Sequence, residues 1–295
     1  MSRRWRDLAT RALTARRAGG HRVLYLVAAA AFVAAALIGW SALPDLDQDP
    51  RWWLIAVGVV AAAPLTALVN GAEYAVTARL VGYRVGTVEA TRIAILASAA
   101  NLLPLPGAVA VRAQALRRRG ATTGRAVWAT AVAGAVWVGV ALLAAGILQL
   151  DGDHRAAALT ATLLGVVVVA GAAVAAWTLT RGLPVGPVLA LVAVEVASVA
   201  VGAGRYLLVV HALGFAIEPR QAIALAVAGI LASLIGILPG GLGVRELLAG
   251  AIAPLVGLAA SVGVIGSAVD RLIGLPALAV MALAVSARPP PDADQ

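Results

Sequence analysis

The sequence contains no cysteine and no lysine, and its three histidines (His21, His154 and His211) lie far apart. A chain without cysteine has no disulfide, thiol nucleophile or thiolate metal site, and histidines this far apart in sequence do not match the spacing of metal ligands. The sequence also lacks the GxSxG, HExxH, P-loop and EF-hand patterns. We therefore expect neither a metal nor a cofactor, and nothing in these residues supports an enzyme.

Charged residues are scarce as well. They make up 13% of the chain, whereas 62% of the residues are hydrophobic and the mean hydropathy is +0.94. Soluble domains have about 25% charged and about 45–50% apolar residues. The net charge of +9 comes from arginine alone, and no nucleic-acid-binding motif accompanies it. The composition predicts an integral membrane protein that does not bind nucleic acid.

Six apolar runs reach the roughly 20 residues that a helix needs to cross the hydrocarbon core. They are Val23–Leu43, Trp52 to about Gly82, Ala126–Leu150, Ala156–Thr180, Val188–Leu213 and Val256 to about Val285. The first run exceeds the roughly 7–15 residues of a signal-peptide core, so it is interpreted as a retained anchor. The predicted organisation is an Arg-rich segment (1–22), one transmembrane domain (23–287) and a short tail (288–295).

Two further apolar stretches, at Thr87–Arg119 and Arg220–Leu255, are broken by proline and glycine. The breaks read NLLPLPG (Asn101–Gly107) and ILPGG (Ile237–Gly241). With six full spans, the first stretch must enter and leave from the cytoplasmic face and the second from the outer face. The sequence predicts an all-α polytopic membrane protein with two re-entrant helical hairpins that enter from opposite faces.

Arginine placement predicts the orientation. Seven arginines lie in the first 22 residues, and a second group surrounds the first broken stretch (Arg79, Arg84, Arg92, Arg112, Arg117, Arg118, Arg119 and Arg125). The loops assigned to the outside are rich in acidic residues instead (Asp45, Asp47, Asp49, Asp151, Asp153 and Glu218). The positive-inside rule then places both termini in the cytoplasm of a bacterial-type inner membrane.

The two breaks share a short motif, since Pro-Gly is followed by Val-Arg at the same spacing. The motif runs from Pro106-Gly107 to Arg112 and from Pro239-Gly240-Gly241 to Arg245. A half-helix that starts at mid-membrane directs its free N–H groups and positive dipole end at an anion, and arginine adds a full charge. The alternative is that Pro-Gly only ends a helix at a tight turn.

Several ionisable residues fall at membrane depth, where a charge costs at least about 2.5–3.5 kcal/mol. They are Glu195, Arg205, Arg245, Glu246, Asp270 and Arg271. Adjacent residues point about 100° apart on a helix, so we expect cross-pairing of Arg245 with Asp270 and of Glu246 with Arg271. Such pairs form either a permanent ion-pair lock or a site that opens so that arginine can grip a phosphate. In the second case Glu246, Asp270 and Glu195 balance the charge.

Several of these strings resemble a known family. The chain resembles the transmembrane region of lysylphosphatidylglycerol synthase/flippase proteins in three places. These are RLVGYRV, NLLPLPG and VRAQALRRRG between about Ala78 and Gly120, LPGGLGVREL at Leu238–Leu247, and DRLIGLP at Asp270–Pro276. The resemblance implies a domain that binds or translocates lipids, with the Pro-Gly hairpins lining its cavity. It also implies roles for Arg112, Arg245, Glu246, Asp270 and Arg271. Members commonly carry Gly-Glu or Gly-Asp before the first arginine, where this chain has Ala110-Val111. No soluble aminoacyltransferase domain follows here, so we do not expect transferase activity.

The expected function is binding and translocation of an anionic lipid, either a phospholipid or a polyprenyl-phosphate-linked lipid. Its predicted site comprises Arg112, Arg205, Arg245 and Arg271 with Gly107, Gly240 and Gly241. A secondary transporter of a small anion and a non-transporting scaffold for envelope assembly are the alternatives. The substrate headgroup, the direction of transport and the oligomeric state stay open.

Overall fold

The structure is a computed structural model that describes residues 51–101, 107–180, 185–235 and 241–287, together with Val33, Ala34, Leu37 and Ser41. The described part of the chain is helical and contains no strand. Its helices are α1 (Trp52–Leu80), α2 (Thr87–Ala100), α3 (Gly107–Arg118), α4 (Thr123–Leu148), α5 (Arg155–Thr180), α6 (Val185–Ala212), α7 (Pro219–Ile235), α8 (Val244–Ile252) and α9 (Ala260–Ser286). The predicted N-terminal segment, the predicted first span apart from these four residues, the C-terminal tail and Gly240 lie outside the described residues.

Five helices in the described ranges are long and apolar enough to cross a membrane: α1, α4, α5, α6 and α9. They coincide with the five predicted spans that fall on described residues. Their outer faces expose large apolar side chains, among them Leu163 and Val167 of α5, which are 65% and 66% exposed. A soluble protein rarely exposes so much contiguous apolar surface, whereas a lipid-facing surface requires it. The chain is therefore described as a membrane-embedded helical protein.

Helix α1, the second predicted span, is irregular next to Pro64. A π-helical segment, Gly58–Ala62, interrupts α1 immediately before this proline. Proline has no N–H to donate and its ring clashes with the preceding turn, so the turn widens. The Thr66 hydroxyl donates to the Ala62 carbonyl at 2.7 Å and satisfies one of the backbone groups in this region.

Helices α4 and α5 form a tightly packed antiparallel pair at one side of the bundle. A Cβ atom at Gly139 would lie 2.6 Å from Val169 Cγ2, and one at Gly146 would lie 2.4 Å from Thr162 Oγ1. Small residues let the two backbones approach closely, which is how helices associate in lipid. Helices α1, α3, α6 and α7 pack against this pair.

Helices α1 and α6 are antiparallel, and they position the charged residues described below. The backbone N–H of Arg51 donates to the Ala212 carbonyl at 2.7 Å, so the start of α1 lies beside the end of α6. At both broken stretches a pair of shorter helices packs together, α2 with α3 and α7 with α8. The end of α2 and the start of α3 touch, because a Cβ atom at Gly107 would lie 2.1 Å from the Ala100 carbonyl oxygen.

Candidate functional site

Asp270 joins three helices through its carboxylate. It lies in α9 with 3% of its surface exposed. Its Oδ1 accepts a hydrogen bond from Arg205 Nε of α6 at 2.8 Å, and its Oδ2 accepts one from Arg245 Nη2 of α8 at 2.6 Å. One buried carboxylate thus holds two guanidinium groups.

Glu246 and Arg271 form a second buried pair beside the first. Arg271 Nε lies 3.0 Å from Glu246 Oε1, and Arg271 Nη2 donates to the Gly241 carbonyl at 3.4 Å. Glu246 Oε2 accepts the backbone N–H of Gly243 at 2.8 Å, so this side chain also caps α8. The expected cross-pairing of Arg245 with Asp270 and of Glu246 with Arg271 is confirmed. The attachment of Arg205 to the same carboxylate was not expected.

Two glycines make room for the arginine side chains. A Cβ atom at Gly229 of α7 would lie 3.1 Å from Arg245 Nε, and one at Gly274 of α9 would lie 2.9 Å from Arg205 Nη2. Tyr206 adds a stacking surface, because its ring centroid lies 5.6 Å from Arg245 Cζ. Sequence reasoning missed these three residues. The two glycines could have been noticed in the sequence, because a glycine inside a helix lowers helix stability by about 1 kcal/mol relative to alanine. A glycine at such a position therefore indicates that a side chain there would meet a close neighbour.

The three arginines face a common cavity of ≈ 240 Å³, here called the arginine cavity. Its lining also includes the polar side chains of Thr66, Asn70, Ser98 and Asn101, and the apolar side chains of Ile95, Leu275, Leu278 and Met281. Asp270 and Glu246 are not part of this lining, and Glu246 is fully buried. The three arginines therefore line the cavity, whereas the carboxylates that pair with them do not.

Among the described residues, the charges around the arginine cavity do not cancel. Arg205, Arg245 and Arg271 bring three positive charges, whereas Asp270 and Glu246 bring two negative ones. This part of the structure thus holds one more guanidinium group than carboxylate at membrane depth, where an unmatched charge is costly. A ligand with one negative charge would make the site neutral.

The remaining predicted residues lie apart from this cavity. Arg112 binds Glu73 of α1 through both ends of its guanidinium group, with Nη1–Oε1 and Nη2–Oε2 distances of 2.5 and 2.7 Å. Glu195 of α6 is 1% exposed and interacts electrostatically with these two residues. Ten residues of α6, about 15 Å, separate Glu195 from Arg205. The structure thus divides the predicted site into two clusters.

The glycines at the breaks have packing and backbone roles. Gly107 allows the close approach of α3 to Ala100, and the neighbouring N–H of Ala108 donates to Asn101 Oδ1 at 2.9 Å. Gly241 has a φ of +66°, and its carbonyl accepts from Arg271. Side chains of the protein already bind the N–H groups of Ala108 and Gly243. Among the described residues, the guanidinium groups are thus the stronger candidates for anion contacts.

Comparison with known proteins adds no identification. A scan against protein-family models and searches of curated proteins and of solved structures each found no match. The resemblance to the lysylphosphatidylglycerol synthase/flippase transmembrane region therefore stays a prediction.

Proposed function

We propose that the protein binds an anionic lipid through the arginine cavity and translocates it across the bilayer, without catalysing a reaction. The observation that carries the proposal is the convergence of Arg205, Arg245 and Arg271 on one cavity, where the described residues supply three guanidinium groups and two carboxylates. Guanidinium groups are well suited to phosphate because they present two parallel N–H donors. A phosphate monoanion in this cavity would neutralise the excess charge.

The rest of the lining favours an amphiphile over a small ion. The half-buried side chains of Leu275, Leu278 and Met281 form an apolar wall on α9. A lipid could place its phosphate against the arginines and its acyl chain along this wall, because hydrocarbon and guanidinium surfaces lie in the same cavity. A small inorganic anion would leave the apolar wall without a partner.

Two short helix pairs support a re-entrant arrangement around this cavity. Helices α2, α3, α7 and α8 have 14, 12, 17 and 9 residues. At 1.5 Å per residue they extend about 21, 18, 26 and 14 Å, each less than the roughly 30 Å of a hydrocarbon core. The contact of Gly71 with Thr91 packs α2 against α1. We propose that both pairs turn back at mid-membrane, as the sequence predicts.

The two helix pairs begin at opposite ends of the bundle. Helix α2 follows the end of α1, whereas α7 follows the end of α6, which lies beside the start of α1. Entry from opposite faces is the arrangement that transporters use to expose one site alternately to either side. The proposed location is a bacterial-type inner membrane with the α1–α2 connection in the cytoplasm, as the arginine distribution predicts.

A vesicle assay tests the proposal. Wild-type protein reconstituted into vesicles with a fluorescent anionic phospholipid is expected to accelerate its movement between leaflets. Arg245→Gln is expected to slow it by a factor of about 10 or more, since a charge-assisted hydrogen bond contributes about 1.5–3 kcal/mol. Arg220→Gln is the matched control because Arg220 pairs with exposed Glu218 away from the cavity.

Three results would contradict the proposal. Equal lipid movement in the wild type and Arg245→Gln would exclude the cavity as the lipid path. Flux of inorganic phosphate without lipid movement would identify a small-anion transporter. No flux in any well-folded variant would favour a scaffold.

A further inference from the structure

The cluster formed by Glu73, Arg112 and Glu195, here called the Glu195 cluster, has no role in the proposed anion site. It contains two carboxyl groups and one guanidinium group. Arg112 gives both Nη atoms to Glu73, and Glu195 Oε1 is buried without a hydrogen-bond partner. Arg112 Nε is a buried donor that also lacks a partner. The cluster thus leaves one acceptor and one donor unused.

Within the described part of the chain, the charged neighbours of Glu195 are few. Among the described residues, the charged groups that interact with it are Glu73 of α1 and Arg112 of α3. Helices α4, α7 and α9 also pack against α6 but contribute no interacting ionisable group. Tyr74 interacts electrostatically with Arg112, and its buried hydroxyl has no hydrogen-bond partner. If Glu195 were ionised, two carboxylates would share the single positive charge of Arg112. A buried carboxylate without a partner becomes neutral by binding a proton, so we expect Glu195 to be protonated.

We propose that Glu195 is a proton-binding site, and that release of its proton draws Arg112 away from Glu73. In this step the O–H bond of the Glu195 carboxyl breaks, the proton passes to water, and the carboxylate competes with Glu73 for Arg112. The unused Nε of Arg112 provides the first contact for the new pair. Because the Arg112–Glu73 pair joins α3 to α1, its loss would loosen the first short helix pair.

The position of the cluster links this proton to the arginine cavity. Asn70 lines that cavity and lies one helical turn before Glu73 on α1. Loosening α3 at Glu73 would therefore change the wall of the cavity at its Asn70 end. This coupling rests on the proposed lipid function, whereas proton binding by Glu195 does not.

Infrared spectroscopy on the full chain in lipid vesicles tests proton binding directly. A buried protonated carboxyl group has its own C=O stretching band. The band is expected in the wild type at neutral pH, absent in Glu195→Gln, retained in the exposed control Glu218→Gln and shifted in Glu195→Asp. Glu73→Gln is expected to abolish the band as well, because Arg112 then pairs with an ionised Glu195.

The outcomes separate this proposal from the lipid function. A band that persists in Glu195→Gln, or one that Glu73→Gln leaves unchanged, overturns the proton exchange. In the same vesicles, wild-type lipid movement is expected to change by up to about 10-fold per pH unit, the limit for one proton, and Glu195→Gln to lose this response. A pH response retained in Glu195→Gln overturns the coupling. The expected bands without lipid movement in any variant support the proton site and contradict the lipid function.

Discussion

Asp270 is the residue on which the geometry of the arginine cavity depends most. Its two oxygens fix the guanidinium groups of Arg205 and Arg245, which come from different helices. Asp270 therefore fixes the distance between these two guanidinium groups, although it does not itself line the cavity. A buried carboxylate that holds two arginines is costly to remove, because both charges lose their partner together.

Replacement of Asp270 by Asn is expected to lower the free energy of unfolding by about 3–5 kcal/mol, the usual cost of breaking a buried ion pair. Thermal unfolding in detergent measures the effect. The control is Glu218→Gln, which breaks an exposed pair and should cost about 0–1 kcal/mol. Added anionic phospholipid should raise the melting temperature of Asp270→Asn more than that of the wild type, because the two arginines then bind the phosphate. Equal stability of Asp270→Asn and the control would contradict the assigned role.

At the residue scale, the sequence predicts charges and simple pairings better than it predicts shared partners. Arg245–Asp270 and Glu246–Arg271 follow from helix geometry, because neighbours on one helix cannot pair with each other. The separation of Arg112 from the other arginines depends on which helices touch. Nothing in the spacing of Glu73 and Arg112, 39 residues apart, indicates that they meet.

At the scale of the helices, the close contact between α2 and α3 can be tested by adding a single methyl group at Gly107. Gly107 lies against Ala100, and a Cβ atom there would lie 2.1 Å from a backbone oxygen that cannot move aside without moving the helix. Gly107→Ala is expected to cost about 1–3 kcal/mol, typical of an overpacked site. The melting temperature measures this loss.

The matched control is Gly171→Ala in α5. A Cβ atom at Gly171 meets nothing within 4 Å, so this change should be neutral or stabilise the helix by up to about 1 kcal/mol. A Gly107→Ala protein as stable as Gly171→Ala would show that α2 and α3 do not approach closely.

Long helices were the most predictable elements. Each apolar run is bounded by charged or turn residues, so α4, α5 and α6 lie within a few residues of their predicted spans. The π-helical segment of α1 lies directly before Pro64, the residue at which a regular helix loses a backbone hydrogen bond. The capping of α8 by Glu246 was not predicted. The sequence indicates a pair between Glu246 and Arg271, but it does not show that Glu246 also accepts the backbone N–H of Gly243.

At the scale of the whole molecule, orientation in the membrane can be measured with little background because the chain has no cysteine. Thr123→Cys and Asp153→Cys place one thiol at each end of α4, and both positions are exposed. A membrane-impermeant maleimide added to intact cells is expected to label Asp153→Cys and to label Thr123→Cys only after the membrane is broken. The reverse pattern would invert the proposed orientation.

The central claim is that the arginine cavity holds a phosphate-bearing lipid, and lipids retained after gentle purification test it most directly. Mass spectrometry of wild-type protein and Arg220→Gln is expected to find an anionic phospholipid or polyprenyl phosphate bound at about one per chain, since the described residues at the cavity hold one guanidinium group more than carboxylates. Arg245→Gln combined with Arg271→Gln is expected to lose it. The same lipids in the same amounts in all three proteins would contradict the account.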